Sequence, residues 1–189
     1  VEDGWEANHG CLYHALDPSL ASEVVVSRSL QSHESSANAD LNQYAGVYIT
    51  SIAQQAASYI ASITQMLRPH VPLIAHNPGS EELTEDTEYL LKALQSIDIF
   101  IVNAQEARDL LAHMSKNQEC KQRILSEQTH TQYSKDNLPE LLTTFATIED
   151  THIDVRTYMR EIMRRGPAIT IVTNGTEGVY VGYQDHVYF

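Results

Sequence analysis

The stretch DIFIVNAQEARDLLAHM, Asp98–Met114, joins a continuous apolar run to an amphipathic segment, and it decides the fold class. Apolar residues at consecutive positions in DIFIVN are typical of a strand that is buried on both faces. The second half has apolar residues at helical spacing, and it begins with Asn103 and Glu106, which match a capping box. A buried strand that leads directly into a helix is the repeating unit of α/β folds.

The same alternation extends to both sides of this stretch. Further strands are predicted at AGVYIT (45–50), VPLIAHN (71–77) and PAITIVT (167–173), and further helices at 54–69, 85–97 and 153–166. Pro69 and Gly166 end the first and last of these helices. We therefore predict an α/β protein with a mostly parallel sheet that is covered by helices on both faces.

Composition and charge limit the possible function classes. The chain has 189 residues, of which 42% are hydrophobic, enough for the core of one globular domain or most of one. Its formal net charge of −13 disfavours nucleic acid and anionic membranes as partners, since both require clustered Lys and Arg. No apolar run approaches the roughly 18 to 20 residues of a membrane span, and no signal peptide is recognisable, so a cytoplasmic location is predicted.

Two regions fit the alternation less well. Residues from about Val1 to Asn42 contain one clear strand, SEVVVSRSL (22–30), and little helical periodicity. Residues 115–150 are polar, with short helical patterns at 118–127 and 138–148. A connection of this length is usually functional, partly helical or poorly ordered, and the sequence leaves these alternatives open.

Three polar stretches stand directly after predicted strands. They are HNPGS (76–80), NAQE (103–106) and TNGTEG (173–178). Because ligands of open parallel sheets bind outside the carboxyl ends of the strands, these stretches are candidates for one shared site. Their backbone N–H groups, short polar side chains and carboxylates suit phosphate and hydrated Mg²⁺.

Each stretch also has a purely structural interpretation. Asn77-Pro78-Gly79 is a good turn sequence. Asn103 and Glu106 can be explained as the cap of a helix, with no ligand required. Asn174-Gly175 between β-branched residues is the signature of a two-residue hairpin turn of type I′, with φ positive at both residues. The hairpin and a phosphate-binding loop can be the same structure, because glycine lets the backbone approach an anion.

Three longer segments together resemble the ribokinase/PfkB-type family of carbohydrate and nucleoside kinases. They are NPGSEEL (77–83), LLKALQSIDIFIVNAQEARDLL (90–111) and MRRGPAITIVTNGTEGVYVG (163–182). The resemblance extends over roughly Ala45 to Phe189. It implies a ribokinase-like core at 45–189, preceded by a lid-type strand region at 1–44 through which a homodimer could form.

The resemblance also implies an activity and a site. The activity would be ATP-dependent phosphoryl transfer to a hydroxyl of a sugar or nucleoside, with ATP and Mg²⁺ as cofactors. Glu106 would hold Mg²⁺ through water. The residues implied on the phosphate side are Asn77, Asn103, Thr173, Asn174, Gly175 and Gly178.

Two motifs of that family are missing from the chain. Neither its Gly-Ala-Gly-Asp segment, which carries the general base, nor its amino-terminal Gly-rich substrate motif is present. The resemblance therefore implies that no catalytic base lies within the span, that the base lies beyond Phe189, and that residues 1–189 alone are inactive. The alternative is a truncated or degenerate member that binds nucleotide or a protein partner without catalysis. A P-loop kinase and a Rossmann binding module are disfavoured, since neither GxxxxGK[ST] nor GxGxxG occurs.

Overall fold

A computed structural model describes residues 44–50, 59–84, 87–127 and 140–189. The chain divides into two units, Val1–Gln43 and Tyr44–Phe189, and all described residues belong to the second. The predicted lid-type region, including its strand at 22–30, therefore lies outside the described residues apart from Tyr44.

The second unit alternates strands and helices through most of its length. Its strands are β1 (Val47–Ile49), β2 (Ile74–His76), β3 (Ile99–Asn103), β4 (Ala146–Ile148), β5 (Thr151–Ile153), β6 (Ile169–Thr173), β7 (Val179–Tyr183) and β8 (His186–Tyr188). Its α-helices are α1 (Ile60–Leu67), α2 (Ser80–Thr84), α3 (Thr87–Ala93), α4 (Ala104–Met114), α5 (Gln118–Glu127), α6 (Glu140–Thr143) and α7 (Val155–Met163). Short 3₁₀ turns follow at Leu94–Ser96 and Gly175–Glu177.

Six of these strands form one sheet in the order β1-β2-β3-β6-β7-β8. The first four are parallel to one another, and β7 and β8 complete the sheet as antiparallel hairpin strands. Helices flank the sheet, so the predicted α/β class with a mostly parallel sheet is confirmed. Among the described residues, no helix is long and apolar enough to cross a membrane.

One face of the sheet is closed by helices, and we call it the covered face. Its side chains are almost entirely buried, and they include Ile49, Ile74, His76, Phe100, Val102, Thr170, Val172 and Tyr180. Glu82 of α2 bonds to His76 on this face, and Met159 of α7 packs within 3.3 Å of the Cβ position of Gly182. The other described helices contact α2 or α7 directly or through α3, so they form one layer. This agrees with the strand order, because successive right-handed crossovers that advance in one direction leave their helices on the same side.

The opposite face, which we call the open face, is apolar but only partly buried. Its partly buried side chains are Ala75, Ile99, Ile101, Ile169, Ile171 and Val181, and its exposed ones are Tyr48, Asn103, Thr173, Val179, Tyr183, His186 and Tyr188. None of these residues of the described strands is an Asp, Glu, Lys or Arg. The open face is therefore a continuous uncharged surface on the side of the sheet away from α2 and α7.

Asp98 joins three strands at the amino ends of the sheet. Its carboxylate accepts a hydrogen bond from the backbone N–H of Ile74 at 2.8 Å and pairs with Arg68. Its own backbone N–H donates to the Ile74 carbonyl at 2.8 Å, and its carbonyl accepts from Ile169 at 3.0 Å. This residue fixes the ends of β2, β3 and β6 relative to one another.

Helix α7 ends at Met163, before the predicted stop at Gly166, which follows in the turn after the helix and whose surroundings permit no side chain. Its φ is +150°, and a Cβ there would overlap the carbonyl oxygen of Leu94. The end of α7 therefore touches the 3₁₀ turn after α3 backbone to backbone.

The polar region 115–150 contains more structure than its sequence indicates. The described parts include α5, which the pattern at 118–127 predicts. The helical prediction at 138–148 is wrong over its last residues, because only α6 is helical there and β4 pairs with β5 in an unpredicted hairpin. The hairpin turns at Glu149-Asp150, where φ is 45° and 61°. Charged residues with positive φ carry none of the usual Asn-Gly signal, which explains why the hairpin is not recognisable from the sequence.

The prediction of a two-residue turn at Asn174-Gly175 is wrong. Asn174 has φ −129°, and the register pairs Thr173 with Val179, so five residues connect β6 to β7. The turn type expected there occurs instead between β7 and β8, where Gln184 and Asp185 have φ of 48° and 65°.

Candidate functional site

The three polar stretches meet at the carboxyl edge of the sheet. Asn103 and Thr173 are the last residues of the neighbouring parallel strands β3 and β6, and they stand opposite each other in the register. Asn77 follows β2, the strand on the other side of β3. Adjacent strand ends therefore bring the side-chain amides of Asn77 and Asn103 and the hydroxyl of Thr173 to one edge.

Asn77 is fixed in the sheet by both its backbone and its side chain. Its backbone N–H donates to the carbonyl of Ile49 at 2.9 Å, and its Nδ2 donates to the carbonyl of Ile101 at 2.8 Å. These two bonds hold Asn77 beside the end of β3.

Asn103 and Glu106 form the capping box that their spacing predicts. Asn103 Oδ1 accepts from the backbone N–H of Glu106 at 2.9 Å, and Glu106 Oε2 accepts from that of Asn103 at 2.8 Å. Asn103 is exposed and Glu106 is partly exposed. No hydrogen bond from the described residues ends on Oε1 of Glu106, so capping occupies only one of its carboxylate oxygens.

The loop after β6 holds the remaining predicted residues, Asn174, Gly175 and Gly178. The backbone N–H of Asn174 donates to the Gly178 carbonyl at 2.9 Å, which closes the loop around the 3₁₀ turn. Gly175 has φ +56°, and no described atom lies within 4 Å of where its Cβ would be. The space beside this glycine is open, as a backbone that receives an anion requires.

A fully buried pair, His76 and Glu82, lies on the covered face below this edge. His76 Nδ1 lies 3.1 Å from the Ile49 carbonyl, and Nε2 lies 3.0 Å from Glu82 Oε2. Since a carbonyl can only accept, Nδ1 carries a proton, and the contact between Nε2 and Oε2 contains a second one. Glu82 Oε1 also accepts from Gly79 N–H at 3.2 Å, so the pair is bonded to the segment that follows Asn77.

Tyr158, in the first turn of α7, is a polar residue of this region that the sequence analysis did not single out. Its ring is fully buried and packs against Phe145 with centroids 5.3 Å apart. Its hydroxyl has no hydrogen-bond partner in the described part of the chain. Burial and the negative charge of Glu106 both raise the pKa of Tyr158. The available sequence signal is its position four residues after the helix cap Asp154, which any buried helix residue could occupy.

The donor set at the edge matches a hydrated cation next to phosphate. Its atoms are carboxylate, amide and hydroxyl oxygens, which Mg²⁺ prefers, and Mg²⁺ is commonly held by one or two carboxylates with water and substrate phosphates. The described residues contain no group of three or more His, Cys, Asp or Glu that could hold a metal, so the arrangement is not a cage of direct protein ligands. The amino end of α4 attracts anions, whereas Glu106 repels them. The charge of Glu106 therefore offsets the attraction of the α4 amino end for a bare anion.

Comparison with known proteins gives no relative from which a function could be inferred. No protein-family model matches the chain, and a search of curated proteins finds no significant match.

Proposed function

We propose that this protein is an ATP-dependent kinase of the ribokinase/PfkB type that phosphorylates a hydroxyl of a sugar or nucleoside. The observation that carries the proposal is the register of β3 and β6. It aligns Asn103 with Thr173 at the carboxyl edge, beside Asn77, which follows the neighbouring strand. The sequence resemblance assigns these residues to the phosphate side of a nucleotide, and their shared edge supports that assignment.

Different residues of the edge would bind the phosphates and the Mg²⁺. The loop from Asn174 to Gly178 offers backbone N–H groups in open space next to Gly175, where phosphate oxygens would be bound. Asn103 and Thr173 provide short polar side chains that orient the phosphates. Mg²⁺, when bound, neutralises phosphate charge, and Glu106 would hold its water ligands while Asn103 keeps that carboxylate at the start of α4.

We further propose that the fold is ribokinase-like, with helices on both faces of the sheet. The apolar and uncharged open face supports this, because parallel sheets of α/β proteins are normally covered on both sides. A general base outside residues 1–189 and a homodimer formed through the lid-type region belong to the same proposal, as does the cytoplasmic location.

Nucleotide binding tests the proposal most directly. Titration calorimetry of the protein with ATP, with and without Mg²⁺, should show binding that Mg²⁺ strengthens. Glu106→Gln should weaken MgATP binding about tenfold and leave the melting temperature nearly unchanged, because Gln can still serve in a capping box. Glu119→Gln, the same change in the exposed first turn of α5, is the matched control and should bind as the parent does.

A panel of sugars and nucleosides, assayed for ATP-dependent phosphorylation with the natural full-length protein, then separates the two functional readings. Turnover with one class identifies the acceptor and supports the kinase. Binding of MgATP without turnover on any acceptor supports the non-catalytic family member. Absence of ATP binding at any Mg²⁺ concentration rejects the kinase and the nucleotide-binding form of the alternative. Equal Mg²⁺ dependence of the parent and Glu106→Gln would mean that Glu106 only caps α4 and does not act on Mg²⁺.

A further inference from the structure

His76 and Glu82 form a polar pair inside the apolar core of the covered face, and the proposed function does not use it. Both side chains are completely buried. Burying two titratable groups is unfavourable unless their polar atoms are hydrogen-bonded, and apolar residues of similar volume would occupy the same space without that cost. The reason for the pair is therefore to be found in what its hydrogen bonds hold in place.

The bonds of the pair end on both sides of the chain at residues 77–79, which we call the 77–79 segment. At its start, His76 Nδ1 lies 3.1 Å from the Ile49 carbonyl oxygen, which also accepts the backbone N–H of Asn77 at 2.9 Å. At its end, Glu82 Oε1 accepts the backbone N–H of Gly79 at 3.2 Å. The contact of 3.0 Å between His76 Nε2 and Glu82 Oε2 joins these two sets of bonds. One connected network thus holds both ends of the segment.

The position of the 77–79 segment determines where the Asn77 amide lies. Asn77 Nδ2 donates to the carbonyl of Ile101 at 2.8 Å, two residues before Asn103 at the end of β3. A displaced segment would break this bond and move the amide away from the strand ends that carry Asn103 and Thr173. Binding groups keep their geometry only where the residues behind them are fixed.

Glu82 occupies the same place in its helix as Glu106 does in α4. Each is the third residue of the helix, and each accepts the backbone N–H of the residue three positions earlier. The second carboxylate oxygen of Glu82 is directed to His76. A glutamine could make both contacts, because its carbonyl can accept from Gly79 while its amide donates to Nε2 of a neutral imidazole.

We propose that His76 and Glu82 are positioning residues for the phosphate side of the site, and that they fix the 77–79 segment so that Asn77 stays against β3. Neither side chain touches the ligand. The positioning of Asn77 stands independently of any ligand, whereas its effect on nucleotide binding rests on the proposed function.

The positioning is tested without a ligand. In protein labelled with ¹⁵N-asparagine, the side-chain amide signals of Asn77 are the ones lost in Asn77→Ala. Glu82→Ala should shift these signals, because Gly79 and His76 lose their bonds, whereas Glu82→Gln should leave them close to their parent positions. Glu161→Ala, which removes another buried carboxylate of the helix layer, is the matched control and should not move them.

Asn77 signals that are unmoved by Glu82→Ala overturn the proposal. If Glu82→Ala does not fold, Glu82→Asp takes its place with the same expectation, because its side chain is one methylene too short to reach both partners.

Calorimetry with MgATP tests the effect on binding. Glu82→Ala should weaken MgATP binding by the folded protein about tenfold, the size seen when a residue behind a binding group is lost. Glu82→Gln should retain the affinity, and Glu161→Ala should lower the melting temperature but bind as the parent does. In the Asn77→Ala background Glu82→Ala should have no further effect, since the residue that it positions is gone.

Equal weakening by Glu82→Ala in both backgrounds, or none in either, overturns the positioning role in binding. If the parent binds no MgATP, the proposed function fails, and the amide signals alone decide whether the pair positions Asn77.

Discussion

The two faces of the six-stranded sheet differ in burial although both carry apolar side chains. On the covered face Phe100 and Val102 are fully buried, whereas Ile101, which lies between them and points to the open face, remains partly exposed. The covered face even accommodates polar groups, His76 and Thr170, without exposing them. Burial in this sheet is thus set by what packs on a face, and residue type alone does not distinguish the faces.

The largest expected effect separates the faces at adjacent positions of β3. Phe100→Ala should lower the free energy of unfolding by about 3–5 kcal/mol, because it leaves a cavity under the helix layer. Ile101→Ala should lower it by only ~1 kcal/mol, since its side chain is already partly in water. Urea unfolding of both variants measures the difference. Equal losses would show that the open face is packed in solution as tightly as the covered one.

The second largest loss of stability is expected at a buried carboxylate in the helix layer of the covered face. The carboxylate of Glu161 in α7 is almost fully buried, and it accepts hydrogen bonds from Arg123 at 2.6 and 2.8 Å and from Arg165 at 2.8 Å. Glu161→Gln should cost about 2–3 kcal/mol, somewhat less than for a fully buried pair, because both arginines are partly exposed.

The pH dependence of stability should report the same cluster. Burial raises the pKa of Glu161, but the hydrogen bond from Arg123 and the charges of Arg165 and Arg123 outweigh burial and lower the pKa below its ordinary 4.5. A lowered folded-state pKa means that this stability is complete above pH 4.5 and is lost as pH falls towards the folded-state value. Urea midpoints across the acidic range should fall less steeply for Glu161→Gln than for the parent. Parallel curves would contradict the assignment.

A smaller effect is expected from a polar change on the open face. Ile171→Thr keeps the β-branched shape and should change the free energy of unfolding by less than about 1 kcal/mol, because the residue is partly exposed. It should also raise solubility, since it interrupts an uncharged apolar surface. Val172→Thr, the neighbouring position on the covered face, is the matched control and should be clearly more destabilising. Comparable losses at the two positions would contradict the distinction between the faces.

The smallest change in stability is expected in the turn that joins β7 to β8. This turn lies at the end of the sheet and belongs to neither face. Gln184 and Asp185 both have positive φ, which Asn-Gly adopts more readily. The double change Gln184→Asn with Asp185→Gly should stabilise the protein by roughly 0.5–1 kcal/mol, measured as a rise in melting temperature. A fall in melting temperature would mean that the original side chains support the hairpin.

Local signals made much of the fold predictable. The strand at 99–103 and the helix from Ala104 follow from an apolar run and a capping box, and both signals are contained within a few neighbouring residues. The common edge of Asn77, Asn103 and Thr173 was also predictable, since parallel strands end on the same side.

Two kinds of feature were not predictable: turns whose sequences lack or contradict the usual signals, and buried positions that depend on distant partners. The hairpin at Glu149-Asp150 has a turn sequence without glycine, and the five-residue connection after Thr173 overrides the strong Asn-Gly signal. The buried positions of His76 and Tyr158 depend on Glu82 and on Phe145, whose contacts no local pattern encodes.

The hydrogen bonds of Asp98 distinguish a fixed amino edge of the sheet from a carboxyl edge with open space. At the amino ends, Asp98 ties β2 to β6, and the backbone contact at Gly166 allows no side chain. At the carboxyl ends, Gly175 faces open space. Insertions or sequence changes in the loops of the carboxyl edge can therefore be accepted without shifting the register of the strands. A randomised library would therefore best be confined to the loops of the carboxyl edge.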